Sequence, residues 1–188
     1  LRKEADTVIV IPNDKLLQDD ISKLPLDQAF RQADEILANA IKCMSEITSH
    51  SGLVNIDFAD MRSIMYEGGV AMIGMGEGQG PDRATDAVTA ALTSPLLELK
   101  IDQSKGALIN VTGGDDMTLE EAHQVVKEVH SKINKEARII WGASIDSTLE
   151  HQVRVMLVVT GVKSSQILGP SSGVDDELQG RYGIEFVQ

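Results

Sequence analysis

Gly52-Leu53-Val54-Asn55-Ile56-Asp57-Phe58-Ala59-Asp60-Met61-Arg62 is the stretch on which the reading of this chain turns. It places an amide and two carboxylates between positions 55 and 60, in a loop begun by glycine that runs into a helix. Asp57 and Asp60 stand three apart at that helix start, where carboxylates cap free N–H groups and favour the helix dipole. Capping is one reading. The other is chemical: such a group can orient a water molecule or hold a cation. Phosphoryl transfer to water needs one group to polarise the nucleophile and another to hold its partners. The loop has too few ligands for a dedicated metal cage, so a magnesium ion would travel with a nucleotide.

Upstream, Leu26, Phe30, Ala33, Leu37, Ala40, Met44 and Ile47 recur at alternating steps of four and three, and Ala29, Ile36 and Ile41 add a second stripe. This spacing predicts a helix from about Asp27 to His50, packed on both flanks as a spine between two domains. Gly52 follows where a left-handed cap is needed. Phe30 and Asp34 share one face of that helix. A ring can stack on a base, and a carboxylate can accept the two adjacent donors of guanine, which adenine does not offer. A core Phe30 beside a solvated Asp34 is the alternative. Nearer the start, Thr7 to Ile11 reads as a buried parallel strand that hands over to Pro12-Asn13-Asp14. Ligands gather at that end of such strands, though Asn and Asp also make plain turns. A chain that opens inside a strand pattern, without Met, is expected to be a piece of a longer one.

Downstream, the patterns predict a helix near Asp57–Tyr66, a strand at Val70–Ile73, and a helix near Asp82–Thr93 with Pro81 ahead of it. Between the last two, Gly74-Met75-Gly76-Glu77-Gly78-Gln79-Gly80 reads as a flexible loop. It matches neither dinucleotide nor P-loop spacing, and Glu77 would repel phosphate. A strand at Ala107–Val111, a turn at Thr112-Gly113-Gly114-Asp115, a helix at Leu119–Ile133 and strands at Arg138–Ala143 and Val153–Val159 follow. Thr118 and Glu121 form a capping box. Trp141 and Cys43 read as core residues, and no His-containing motif makes Cys43 a nucleophile. His50, His123, His130 and His151 lack ligand spacing. The fold class is therefore α/β (α+β), with a mixed sheet packed by helices.

The 188 residues carry 42% hydrophobic and 24% charged side chains, ordinary for a globular chain, and a net charge of -12. That charge argues against nucleic acid. No apolar run approaches a membrane span, and a lone cysteine suits a reducing interior.

Several blocks together resemble FtsZ, the tubulin-like cell-division GTPase. They are Asp6–Leu17 with Ile11-Pro12-Asn13-Asp14, Ala29-Phe30 with Ala33-Asp34, Gly52–Arg62, Gly69–Gly76, Ser94-Pro95-Leu96-Leu97, Asn110-Val111-Thr112-Gly113-Gly114 and Gly142-Ala143-Ser144-Ile145-Asp146. The likeness covers about residues 4 to 163. It implies the end of a Rossmann-like GTP-binding domain at 1–26, a central helix at 27–51, a C-terminal domain carrying the catalytic synergy loop at 52–163, and a tail at 164–188. That tail looks more archaeal than bacterial, with no clear membrane-adaptor peptide. The resemblance further implies that Phe30 stacks on guanine, Asp34 accepts its donors and Asn13 contacts the nucleotide. Asn55, Asp57 and Asp60 would act in trans on GTP held by the adjoining subunit, with Mg2+ accompanying the nucleotide and GDP as product. Implied partners are other copies in a head-to-tail filament, the protein's own GTP-binding domain, and division-ring and membrane-tethering proteins, at a cytoplasmic mid-cell ring. The family's Gly-Gly-Gly-Thr-Gly-Thr-Gly phosphate loop is absent from these residues, so the chain alone is expected not to hydrolyse GTP. A non-catalytic filament-binding module of the same fold is the alternative.

Overall fold

The computed structural model describes residues 4–11, 25–49, 52–66, 68–94, 97, 101 and 104–162. In chain order these form β1 (Thr7–Ile9), α1 (Leu26–Ser49), α2 (Phe58–Met65), β2 (Gly69–Gln79), α3 (Arg83–Leu92), β3 (Gly106–Gly113), α4 (Leu119–Lys132), β4 (Arg138–Ile145) and β5 (Gln152–Thr160). The five strands make one mixed sheet in the order β1-β2-β5-β3-β4. The outer pairs β1–β2 and β3–β4 are parallel, and β5 runs antiparallel to both of its neighbours. A parallel pair needs a crossover, which α4 supplies between β3 and β4.

Alternation along the strands sorts the core into two layers. On one face Val70, Met72, Ile109, Val111, Val155 and Leu157 pack against Ala87, Val88 and Ala91 of α3 and Val125 and Val129 of α4. On the other, Ala71, Ile73, Leu108, Met156 and Val158 meet Ala40, Cys43 and Ile47 of α1 and Ile64 of α2. The sheet is covered on both sides, and for that reason β5 from Val155 to Thr160 is a continuous buried run. Cys43 is buried in the core, as its pattern predicts. Trp141 is partly buried and stands edge-on to His123, ring centroids 5.2 Å apart.

The glycine-rich segment departs from its sequence reading. It is no loop: residues 74 to 79 continue β2 to Gln79, paired with β5 as far as Gln152. The alternate glycines 74, 76 and 78 line the face beneath α3. A Cβ at these positions would stand 2.3, 2.2 and 2.0 Å from the backbone oxygens of Ala91, Ala87 and Arg83. Helix backbone lies directly on strand backbone, which only glycine allows. Glu77 points the other way and binds Arg154 across the strand pair, Oε1 to Nε 2.7 Å. Thr112 and Gly113 likewise belong to β3, so the predicted turn begins only after them.

The long helix takes its predicted place, spanning roughly 36 Å at 1.5 Å per residue over 24 residues. Its packing is one-sided toward its end. Ala40, Cys43 and Ile47 are buried, while Phe30, Leu37 and Ile41 are exposed, Phe30 at 63%. Within the described residues Phe30 is therefore not a core residue. The capping box of α4 forms as expected: Thr118 Oγ1 accepts from the Glu121 N–H at 3.2 Å, and the Thr118 N–H donates to Glu121 Oε2 at 2.8 Å.

Candidate functional site

The segment from Gly52 to Asp57 is laid along the free edge of β4. Val54 exchanges two backbone hydrogen bonds with Ala143, its N–H to the Ala143 oxygen at 3.1 Å and its oxygen to the Ala143 N–H at 3.0 Å. Glycine at 52 makes this approach possible, because a Cβ there would lie 2.3 Å from the Ala143 oxygen. Glycine at 142 does the same for Ile56, whose buried side chain fills the space a Cβ would need. The loop is thus anchored by one strand bridge and one apolar plug, with its polar residues left outward.

Asn55 is exposed, and its Oδ1 accepts the Gly52 N–H at 2.6 Å, closing the loop on itself. Asp57 is the N-cap of α2, with extended backbone and Oδ1 accepting the Asp60 N–H at 2.6 Å. The capping role available from the sequence is therefore the one its Oδ1 plays, which leaves Oδ2 open toward solvent. Asp60 sits half-buried on the first turn of α2, and no hydrogen bond or ion pair engages its carboxylate among the described residues. Two acceptor groups on one helix end, both reachable from outside, can polarise a water held between them and a docked electrophile.

Phe30 and Asp34 are both exposed on the first third of α1. Asp34 precedes Ile47, against which the loop packs, by 13 positions, or about 20 Å along the helix. The structure therefore brings Asn55, Asp57 and Asp60 together and keeps Phe30 and Asp34 apart from them. Asn13 lies outside the described residues. Among the described residues no group of three or more His, Cys, Asp or Glu could hold a metal ion, and the loop's two carboxylates, one already capping a helix, make no cage for one. No described helix is long and apolar enough to cross a membrane.

One polar cluster escaped sequence reasoning. Arg83, only 7% exposed at the start of α3, donates from Nε to Glu121 Oε1 at 2.6 Å and from Nη1 to Asp116 Oδ2 at 2.7 Å. His151, at φ 57, reaches the same Asp116 oxygen from the β4–β5 turn at 3.0 Å. The hydrogen bond from Arg83 pulls Glu121 below its ordinary value, and those from His151 and Arg83 do the same for Asp116. Its members are scattered from position 83 to 151, so no local spacing announces it. It clamps α3 to α4 and to the β4–β5 turn, a structural role.

The arrangement can be compared with known proteins. The fold is shared with CetZ1 from Haloferax volcanii, a GDP-bound monomer, at a TM-score of 0.71 and 15% identity over 93% of this chain and 52% of that one. That likeness defines the class by fold alone. Residues 69–163 match the model of the FtsZ family, C-terminal domain. The cell division protein FtsZ 1 of Archaeoglobus fulgidus is 52% identical over 188 residues, all of this chain and 50% of the relative. An empty FtsZ dimer from M. jannaschii superposes at a TM-score of 0.83, with 51% identity, over 87% of this chain and 47% of that one. The chain belongs to the FtsZ family. It spans about half the length of the curated relatives it matches.

Proposed function

We propose that this chain is the catalytic-loop half of a GTPase that assembles head to tail and hydrolyses GTP where one subunit meets the next. The observation that carries the reading is the separation of the two candidate sets along α1. Phe30 and Asp34 face outward at its start, and the loop with Asp57 and Asp60 lies at its far end. The exposed stretch between them carries Leu37 and Ile41. One chain therefore offers a guanine-type contact at one end and a water-activating group at the other. Stacking copies in the same direction brings the end of one to the start of the next, and a repeated head-to-tail contact of this kind yields open filaments.

At such a junction the guanine base would stack on Phe30 and give its two donors to Asp34, and Asn13 would touch the nucleotide beyond its strand. Asp60 and the open oxygen of Asp57 would accept hydrogen bonds from a water, orient it toward the terminal phosphorus and draw off its proton as the bond to GDP breaks. Asn55 would keep the loop closed. Mg2+ would arrive on the phosphates. Residues 1–26 would complete the nucleotide-binding domain, 27–51 would be the connecting helix, 52–163 the activating domain and 164–188 a tail toward membrane tethers at a cytoplasmic division ring. The capping bond of Asp57 favours one second reading, in which the carboxylates only build α2 and the chain is a non-catalytic filament-binding module.

Complementation separates the readings. In the full-length protein, Asp34→Ala should lose GTP affinity but keep its loop, and Asp57→Asn should keep affinity and the helix cap but lose turnover. Mixed one to one, the pair should turn over GTP well above the sum of the two alone, since each supplies what the other lacks. Co-assembly without recovered turnover would refute action in trans. Full turnover by Asp57→Asn would favour the module.

A further inference from the structure

Beneath the loop the sheet turns polar. On the face of β3 and β4 toward α1 and α2, Leu108 and Ile140 are apolar. The next paired rungs on that face are Asn110 with Gly142 and Thr112 with Ser144. Asn110 and Thr112 are both buried. Asn110 Nδ2 donates to Thr112 Oγ1 at 3.3 Å, and Thr112 Oγ1 lies 3.0 Å from Ser144 Oγ. Burying such groups gains little stability, because apolar side chains of the same shape serve a core as well or better. A hydrogen-bonded polar chain instead holds one geometry.

What that chain underlies is the loop. A small cavity there is lined by Gly52, Asn55 and Ile56 on one side and by Asn110 and Ser144 on the other. Ala143, whose backbone holds Val54 by both bonds, sits between Gly142 and Ser144.

We infer that Thr112, bonded to Asn110 and Ser144, is a positioning residue for the catalytic loop: it fixes the β4 backbone at Ala143, and through Val54 the placement of Asp57 and Asp60. The inference rests on the catalytic reading above. Misplacing reacting groups by an ångström costs up to about a hundredfold in rate, so a small loss of definition here is visible in turnover.

The test uses the full-length assembled protein. Thr112→Val keeps the side-chain shape and removes the hydroxyl, and Thr112→Ser keeps the hydroxyl. Ser144→Ala cuts the same chain from the other end, should Thr112→Val fold poorly. Thr112→Val and Ser144→Ala are expected to raise amide hydrogen exchange in peptides covering 52–57 and 140–145 about tenfold. They should lower turnover per assembled subunit by on the order of tenfold or more, with GTP affinity unchanged and only the modest fall in denaturation midpoint that one unpaired buried polar group brings. Thr112→Ser should behave as the parent. Unchanged exchange overturns the inference, as does raised exchange with undiminished turnover while Asp57→Asn is inactive. If Asp57→Asn is itself fully active, the catalytic reading fails and with it the role assigned to Thr112, whatever the exchange shows.

Discussion

Alanine at position 76 is the sharpest probe of this fold, because the strand and loop readings of the segment give opposite signs. A Cβ there would stand 2.2 Å from the Ala87 oxygen and 2.4 Å from the Ala91 nitrogen. Ordinary contacts of that kind sit near 3.5 Å, so α3 must retreat by about 1 Å. The colliding atoms are backbone and cannot rotate aside. A gap of that size forfeits a quarter to a half of the dispersion attraction across it, and overpacking of a core costs about 1–3 kcal/mol. Because Ala84, Ala87, Val88 and Ala91 all lose contact together, the upper end applies. Lost unfolded-state freedom returns about 0.4–1 kcal/mol, leaving Gly76→Ala destabilised by roughly 2–3 kcal/mol. In urea, with a slope near 2 kcal/mol/M, the unfolding midpoint should fall by about 1–1.5 M. Gly80→Ala is the control: φ is +82 with nothing within 4 Å, so its cost is only the left-handed strain of about 1 kcal/mol. A midpoint for Gly76→Ala equal to or above the parent's would refute the close packing of α3 on β2.

Other consequences are as direct. Glu121→Ala removes both the bidentate partner of Arg83 and the reciprocal cap of α4, and should cost about 2–3 kcal/mol, since Asp116 remains to pair the buried guanidinium. Arg83→Met should cost less, about 1 kcal/mol, because the two carboxylates it leaves behind can hydrate; equal losses in denaturant melts would contradict this account. Asp116 and Glu121 are both drawn below their ordinary values of 3.8 and 4.5. Their stabilisation is therefore complete above that range and lost as pH falls through the lower folded values, so acid unfolding of Arg83→Met should show a shallower limb. Gly52→Ala should unseat the loop from Ala143 and cut turnover of the full-length protein at least tenfold with nucleotide affinity retained. The 188-residue chain alone should release no phosphate from GTP in a malachite-green assay, and a sustained rate would place a complete site within it.

The elements were legible where a single period governed them. The long helix, the capping box at Thr118 and the strands from Gly106 and Gln152 follow their apolar spacing closely. The segment 74–79 was misread because glycine signals freedom when its neighbours are unknown. Its alternation of glycine with Met75, Glu77 and Gln79 is itself a strand pattern with the side chains removed from one face. That face became recognisable only once α3, drawn from later in the chain, was found lying against it. Phe30 was assigned to the apolar stripe by periodicity, but a stripe is buried only where something covers it.

For the site, local chemistry in the chain was enough to single out Asn55, Asp57 and Asp60, because an amide and two carboxylates at a helix start are neighbours by covalent connection. Periodicity was likewise enough to set Phe30 and Asp34 on one face of the helix. The bridge from Val54 to Ala143, the clamp on Arg83 and the polar rungs under the loop came from packing alone. They join residues 30 to 90 positions apart in the chain, and such contacts leave no trace in spacing because they depend on which surfaces meet once the chain has closed on itself.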